Sequence, residues 1–218
     1  EIIGYAEILR MLIDKDSPMK GYVDDILSAS DRATHLTHSL LAFSRKQNII
    51  LLPVDLNEII QRLEKFLIRI IGEDIEFQTS LSNEVLTVMA DSGQIEQILM
   101  NLAANARDAM PKGGVLSVCT ERLHLAEGIS GILIPPGDYA VVSISDTGKG
   151  MDESTKQRIF EPFFTTKEVG KGTGLGLSIV YGIIKQHKGE ITVYSEPGKG
   201  TTFRIYLKIA ENVSEKAL

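Results

Sequence analysis

A chain of 218 residues, 43% hydrophobic and 24% charged, carries enough apolar content for one full core and a smaller appended element, and it is not a disordered sequence. Its net charge of −6 makes a phosphate backbone or an anionic lipid surface a poor partner, while a nucleotide carried with a divalent cation stays compatible. Cys119 is the only cysteine, which excludes an intrachain disulfide and a cysteine-based zinc site.

The chain opens on Glu1-Ile2-Ile3-Gly4, inside an amphipathic pattern and with neither an initiator Met nor a helix cap, as an internal stretch of a longer protein would. No signal peptide is visible in the sequence, and no apolar run reaches the roughly 18 residues of a membrane span. Residues 1–13 read as a helix, with Ile2, Ala6, Leu9 and Ile13 on one face. Asp14 to Pro18 break it, and a second helix follows over about 19–47. There Tyr22, Ile26, Ala29, Ala33, Leu36, Leu40 and Phe43 keep a 4-3 spacing, a heptad seam. Such a hairpin either packs on its own domain or pairs with a second copy as a four-helix bundle.

Beyond a short linker at 49–52 and Pro53, residues 55–71 read as a helix with Leu56, Ile59, Ile60, Leu63 and Leu67 on one face. Short strands are expected around Ile75 and Phe77 and over 85–89, and an amphipathic helix over 92–110. Strands follow at 115–123 and 139–145, separated by a loop at 124–137. An irregular Gly-rich stretch occupies 146–174, then a helix at 175–187 and a hairpin of 190–195 and 201–207 turned at 196–200. Helices and strands mix without strict alternation, which favours an α+β sandwich over a doubly wound sheet. The last residues, 211–218, form a polar tail.

Three segments carry chemistry. On the 92–110 helix, Ile95, Leu99, Leu102, Ala106 and Ala109 make the apolar stripe, while Gln97, Asn101, Asn105 and Asp108 stack on another face. Amides one turn apart offer two carbonyl oxygens to a small hard cation, or else are solvated groups. Asp146-Thr147-Gly148-Lys149-Gly150-Met151 follows a strand, where a carboxylate can accept from an exocyclic amine of a base; a plain Asp–Gly turn fits the hexapeptide equally well. Gly170-Lys171-Gly172-Thr173-Gly174-Leu175-Gly176 opens onto a helix, exposing backbone N–H groups and the positive end of the helix dipole to a phosphate. It is neither a Walker A loop nor a dinucleotide fingerprint, because no Gly-Lys-Ser/Thr follows and no strand precedes it.

In this order the motifs resemble the GHKL ATPase superfamily, and within it the sensor histidine kinases of two-component signalling. Residues 101–109 look like the N box and 146–150 like the G1 box. Phe160-Glu161-Pro162-Phe163-Phe164 resembles the F box, 172–176 the G2 box, and Gly198-Lys199-Gly200-Thr201 the last Gly motif. The resemblance implies a Bergerat-type α/β sandwich over 54–210, a mixed sheet layered on helices. Residues 1–48 would be part of a dimerisation and histidine-phosphotransfer hairpin forming a four-helix bundle between two copies.

It further implies ATP and Mg²⁺ as cofactors, with Asn105, helped by Asn101, holding the metal against the triphosphate and Asp146 reading adenine. Asp108, Gly148, Gly150 and Thr201 would line the ATP site. A lid over 164–174 would bring Lys167 and Lys171 to the phosphates, anchored in the core by Phe160 and Phe163, with Gly172, Thr173, Gly174, Leu175 and Gly176 also binding ATP. Two departures qualify this. Asn101 stands where gyrase-like and Hsp90-like members have a water-activating Glu, so transfer to a protein nucleophile is implied rather than hydrolysis. The phosphoacceptor His, expected shortly before Gly4–Glu7, is not in the chain.

His35 and His38 read as ordinary helix-surface residues, His124 as a strand exit, and His187 as a cation suited to a helix C-terminus. The implied activity is transfer of the ATP γ-phosphate to that His and then to an Asp of a response-regulator receiver domain, with this chain unable to phosphorylate itself. The expected setting is cytoplasmic, with no nucleic-acid or membrane contact in this stretch, whether or not a fuller protein is anchored. A non-enzymatic dimeric scaffold is the rival, opposed by the intact Asn105, Asp146 and G2 glycines.

Overall fold

The computed structural model describes residues 2–14, 17–27, 29–30, 49–126, 134–168 and 172–210. The chain divides into two units, one of residues 1–47 with 167–173, the other of residues 48–166 with 174–218.

In the first unit, α1 (Ile2–Leu12) is followed by α2, helical at residues 19–27 and 29–30. Ser17 caps the second helix, its Oγ accepting the Met19 N–H at 3.3 Å and its carbonyl the Lys20 N–H. Ala6 and Val23 are buried, whereas the seam residues Ile2, Leu9, Tyr22 and Ile26 stay exposed. The expected seam is thus turned largely outward. Its continuation through Ala33, Leu36, Leu40 and Phe43, together with His35 and His38, lies outside the described residues.

The second unit is built on α3 (Leu56–Ile71), α4 (Ser92–Ala109) and α6 (Gly176–Gln186). Asp55 caps α3 by accepting the Asn57 N–H at 3.0 Å, and the same oxygen holds the Leu86 N–H at 3.2 Å. Leu56, Ile59, Ile60, Leu63, Leu67 and Ile71 then bury one stripe. These helices cover one face of a five-stranded sheet in the order β2-β4-β5-β7-β6. Its strands are β2 (Ile75–Ser80), β4 (Gly114–Leu125), β5 (Gly137–Asp146), β6 (Glu190–Glu196) and β7 (Gly200–Lys208). Only β2 and β4 run parallel, so the sheet is mixed and the layering is the expected α/β sandwich. Leu116, Val118, Ala140, Val142, Ile144, Phe203, Ile205 and Leu207 supply the sheet side of the core. On the opposite face Tyr139, Val141 and Tyr206 pack under Ile134.

Two segments depart from the sequence reading. The supposed linker at Pro53 is a strand, β1 (Leu52–Asp55), which pairs antiparallel with β3 (Thr87–Ala90) as a separate two-stranded sheet. Proline is tolerated there because such a ribbon leaves an edge without need of its missing N–H. The stretch 146–174 is not wholly irregular: α5 (Glu153–Lys156) interrupts it, capped by Asp152, whose Oδ1 accepts the Thr155 N–H at 2.8 Å.

Candidate functional site

The site grows from α4. Asp91 caps this helix through the Gln94 N–H at 3.2 Å, and Ile95, Ile98, Leu99, Leu102, Ala103 and Ala106 bury its stripe. That burial fixes the helix rotation and leaves Asn101 and Asn105 half-buried together on another face. Asp108 lies beyond them and ion-pairs with Arg107 at 2.9 Å. Opposite stands the start of α6. A Cβ placed on Gly176 would sit 3.8 Å from Asn105 Nδ2 and 3.9 Å from Asn101 Oδ1. No side chain caps α6; Leu175 holds the N-cap position and is itself buried. The N-terminus of an eleven-residue helix therefore lies beside two side-chain amides.

A second wall comes from the end of β5. Asp146 pairs in register with Thr201 of β7, and its Oδ1 accepts the Gly148 N–H at 2.8 Å. Burial raises the Asp146 carboxyl above its ordinary pKa, against the pull of the Gly148 and Thr201 backbone N–H groups. The turn that follows is tied on every side. Lys149 N–H donates to the Ala109 carbonyl at 3.0 Å, at the C-terminal end of α4. Thr147 Oγ1 accepts the Val115 N–H at 2.9 Å, and Gly198 N–H donates to the Lys149 carbonyl at 2.7 Å. Gly150 has φ +63°, and a Cβ there would lie 1.9 Å from the Glu196 carbonyl oxygen, so only glycine lets the two turns touch.

Phe163 N–H donates to the Gly174 carbonyl at 2.9 Å, with both residues left-handed, at φ 67° and 66°. A Cβ on Gly174 would come within 2.4–2.7 Å of the Phe163 backbone, which explains glycine there. Phe163 does not anchor in the core as expected. Its left-handed backbone turns the ring outward, 63% exposed, and Phe164 packs on the core in its place beside Phe160. The Phe160 ring lies 5.2 Å from that of Tyr181 on α6, and Arg158 stands 4.3 Å over Phe164.

Among the residues singled out from sequence, the second unit holds Asn101, Asn105, Asp146, Gly148, Gly150, Gly174, Leu175, Gly176 and Thr201. Lys167, Gly172 and Thr173 belong to the first unit, and Lys171 lies outside the described residues. His124 stands as read, at a strand exit paired with Asp138 at 2.7 Å. His187 is not a helix-end cation: its Nε2 accepts the Asp91 N–H at 3.0 Å and its Nδ1 lies 2.8 Å from the Ile183 carbonyl, the bonds of a neutral ring.

The sequence reading missed Ser195. It is 2% exposed; its Oγ accepts the Met151 N–H at 2.9 Å, donates to the Gly200 carbonyl at 2.9 Å and lies 3.0 Å from Thr201 Oγ1. The available signal was period two: a serine two and four residues beyond Val193 and Ile191 sits on the buried face of its strand.

A family model described as histidine kinase-, DNA gyrase B- and HSP90-like ATPase matches residues 90–211. The chain belongs to that family. Within the ATPase family its similarities are to sensor histidine kinases. It is 48% identical to the sensor kinase CckA of Brucella abortus (strain 2308), over 84% of this chain and 20% of that protein. It is 32% identical to sporulation kinase C of Bacillus subtilis (strain 168), over 95% of this chain and 45% of that one. The chain thus spans less than half the length of these relatives. Among solved structures, full-length ShkA in complex with AMPPNP superposes with a TM-score of 0.74 at 25% identity, over 97% of this chain and 43% of that one. Histidine kinase ThkA in complex with the response regulator protein TrrA gives 0.68 at 26% identity, over 96% and 57%. Among the described residues no helix is long and apolar enough to cross a membrane.

Proposed function

We propose that this chain is the Mg-ATP-binding catalytic core of a sensor histidine kinase, residues 54–210, preceded by a dimerisation hairpin at 1–48 and ending in a polar tail at 211–218. The carrying observation is the approach of Gly176, the first residue of an uncapped helix, to the amides of Asn101 and Asn105. Backbone N–H groups at a helix N-terminus hold phosphate oxygens, and amide oxygens beside them suit a cation that arrives with the phosphates. Among the described residues no cluster of three His, Cys, Asp or Glu could hold a metal. The donor set therefore fits Mg²⁺ shared with a nucleotide, which would neutralise charge on the triphosphate. Asn105 and Asn101 would supply its protein ligands, and Asp146 would accept from the adenine amine.

Asn101 bears no proton-accepting carboxylate, so the site positions the γ-phosphate without activating water. The reading gives the group in transfer a histidine on the dimerisation helix as acceptor, then an Asp of a response-regulator receiver domain. ShkA bound to AMPPNP and ThkA bound to TrrA support both ends of that route by similarity. The exposed Ile2, Leu9, Tyr22 and Ile26 support pairing of two hairpins, and a cytoplasmic setting suits the ATP supply.

Calorimetry with AMPPNP and Mg²⁺ tests the nucleotide step; one site per chain is expected, and no heat in any buffer would overturn it. Labelled ATP tests the transfer step. The 218-residue chain should not label itself, while joining a helix that carries an acceptor histidine ahead of residue 1 should give an acid-labile, base-stable product. Robust labelling of His35 or His38 would overturn the assignment of the acceptor.

A further inference from the structure

From the hydrogen bonds of His187 we infer that this residue is the pin that sets the register of α6 against α4, and so a positioning residue for the phosphate end of the site. The inference rests on the nucleotide-binding reading above. The two helices pack through one apolar core and are tied at both ends. At one, Gly176 meets Asn101 and Asn105; at the other, His187 Nε2 accepts the Asp91 N–H at 3.0 Å. Residues 176 to 187 span about 16 Å, and residues 91 to 101 or 105 about 15–21 Å, at about 1.5 Å per helical residue. The helices are therefore antiparallel and clamped at both ends, and a slip at His187 reappears at the amides.

The chemistry of the ring is fixed by its partners. A carbonyl can only accept, so Nδ1 carries the proton toward Ile183; an amide N–H can only donate, so Nε2 is bare toward Asp91. The ring is 8% exposed, so water does not readily replace either bond. Asp91 gathers further contacts: its Oδ1 caps α4 at Gln94 and its Oδ2 accepts the Ile50 N–H at 3.4 Å. The chain ahead of β1, the N terminus of α4 and the C terminus of α6 thus meet at one residue pair, while β3 leads directly into Asp91.

Two near-isosteric substitutions separate register from simple capping. His187→Gln keeps an acceptor at the distal position, toward Asp91, and loses the proximal donor. His187→Asn keeps the proximal donor, toward Ile183, and loses the distal acceptor. The assay is calorimetry of Mg-AMPPNP and of adenosine, with thermal unfolding of the apo protein measured alongside. In His187→Asn the register is released and the Mg-AMPPNP affinity should fall about tenfold, within the range by which packed residues away from a site alter its affinity, with adenosine binding unchanged because Asp146 sits on the sheet. His187→Gln should bind Mg-AMPPNP within about threefold of the parent chain. Nitrogen NMR of the parent chain should show Nδ1 protonated and Nε2 bare. Equal losses in both variants, losses that follow melting temperature alone, or a proton on Nε2 would each overturn the register role. A parent chain that binds neither ligand would overturn the nucleotide reading itself, a distinct failure.

Discussion

Asp146→Asn is the substitution that tests the proposed adenine contact. Asp146 Oδ1 is committed to the Gly148 N–H at 2.8 Å, and the backbone N–H of Thr201 also reaches the carboxyl. Asparagine retains one acceptor for these donors but sets an NH₂ where a second oxygen stood. An adenine amine arriving there meets a donor instead of an acceptor. Losing such a partly buried polar contact costs about 1–3 kcal/mol, or roughly 5- to 150-fold in affinity. Calorimetry with ADP and GDP should show the parent chain preferring adenine and the variant nearly indifferent. The pH dependence has a definite sign. Because burial raises the Asp146 pKa, the folded state binds this proton more tightly than the unfolded chain. Its contribution to stability therefore falls as pH rises from the ordinary carboxylate pKa through the raised one. At neutral pH the charged carboxylate is a burden on the empty site, so Asp146→Asn should melt higher than the parent without ligand while binding ADP less well. Adenine needs the ionised form, so ADP affinity in the parent should drop on acidification through the raised pKa, and the variant should lose that dependence. Equal affinity of the parent chain for ADP and GDP would refute the role of Asp146.

Further expectations are simpler to measure. Asn105→Ala should abolish the advantage Mg²⁺ gives to AMPPNP binding and leave the melting temperature nearly unchanged, because the buried stripe of α4 lies elsewhere; Mg²⁺ titrations check both. Gly150→Ala forces a left-handed alanine, at about 1–2 kcal/mol, and drives its Cβ onto the Glu196 carbonyl. With the Gly198–Lys149 hydrogen bond lost at about 1 kcal/mol, the melting temperature should fall by about 5–10 °C. Lys188 holds φ 55° just past the C-cap of α6, so Lys188→Gly should stabilise the fold by about 0.5–1 kcal/mol, read by denaturant unfolding.

The sequence by itself determined the elements whose signals are local. Period 3.6 marked α3 and α4, period two marked β4 to β7, and the order of the motifs identified the family. What no local pattern carries is which distant groups meet. The pairing of β1 with β3 depends on the position of α3, so Pro53 read as a break. The outward turn of Phe163 follows from a backbone bond to Gly174, eleven residues on, and a left-handed φ that phenylalanine seldom adopts, so no local pattern announces it. Ser195 counts for the site only because β6 and β7 bring it to Met151 across the sheet edge. His187 is the sharpest case. A histidine at a helix C-terminus reads as a cation complementing the dipole, yet the packing of α6 on α4 presents it with an amide N–H 96 residues away in sequence. A ring that must accept that bond is neutral, and only the tertiary fold decides it.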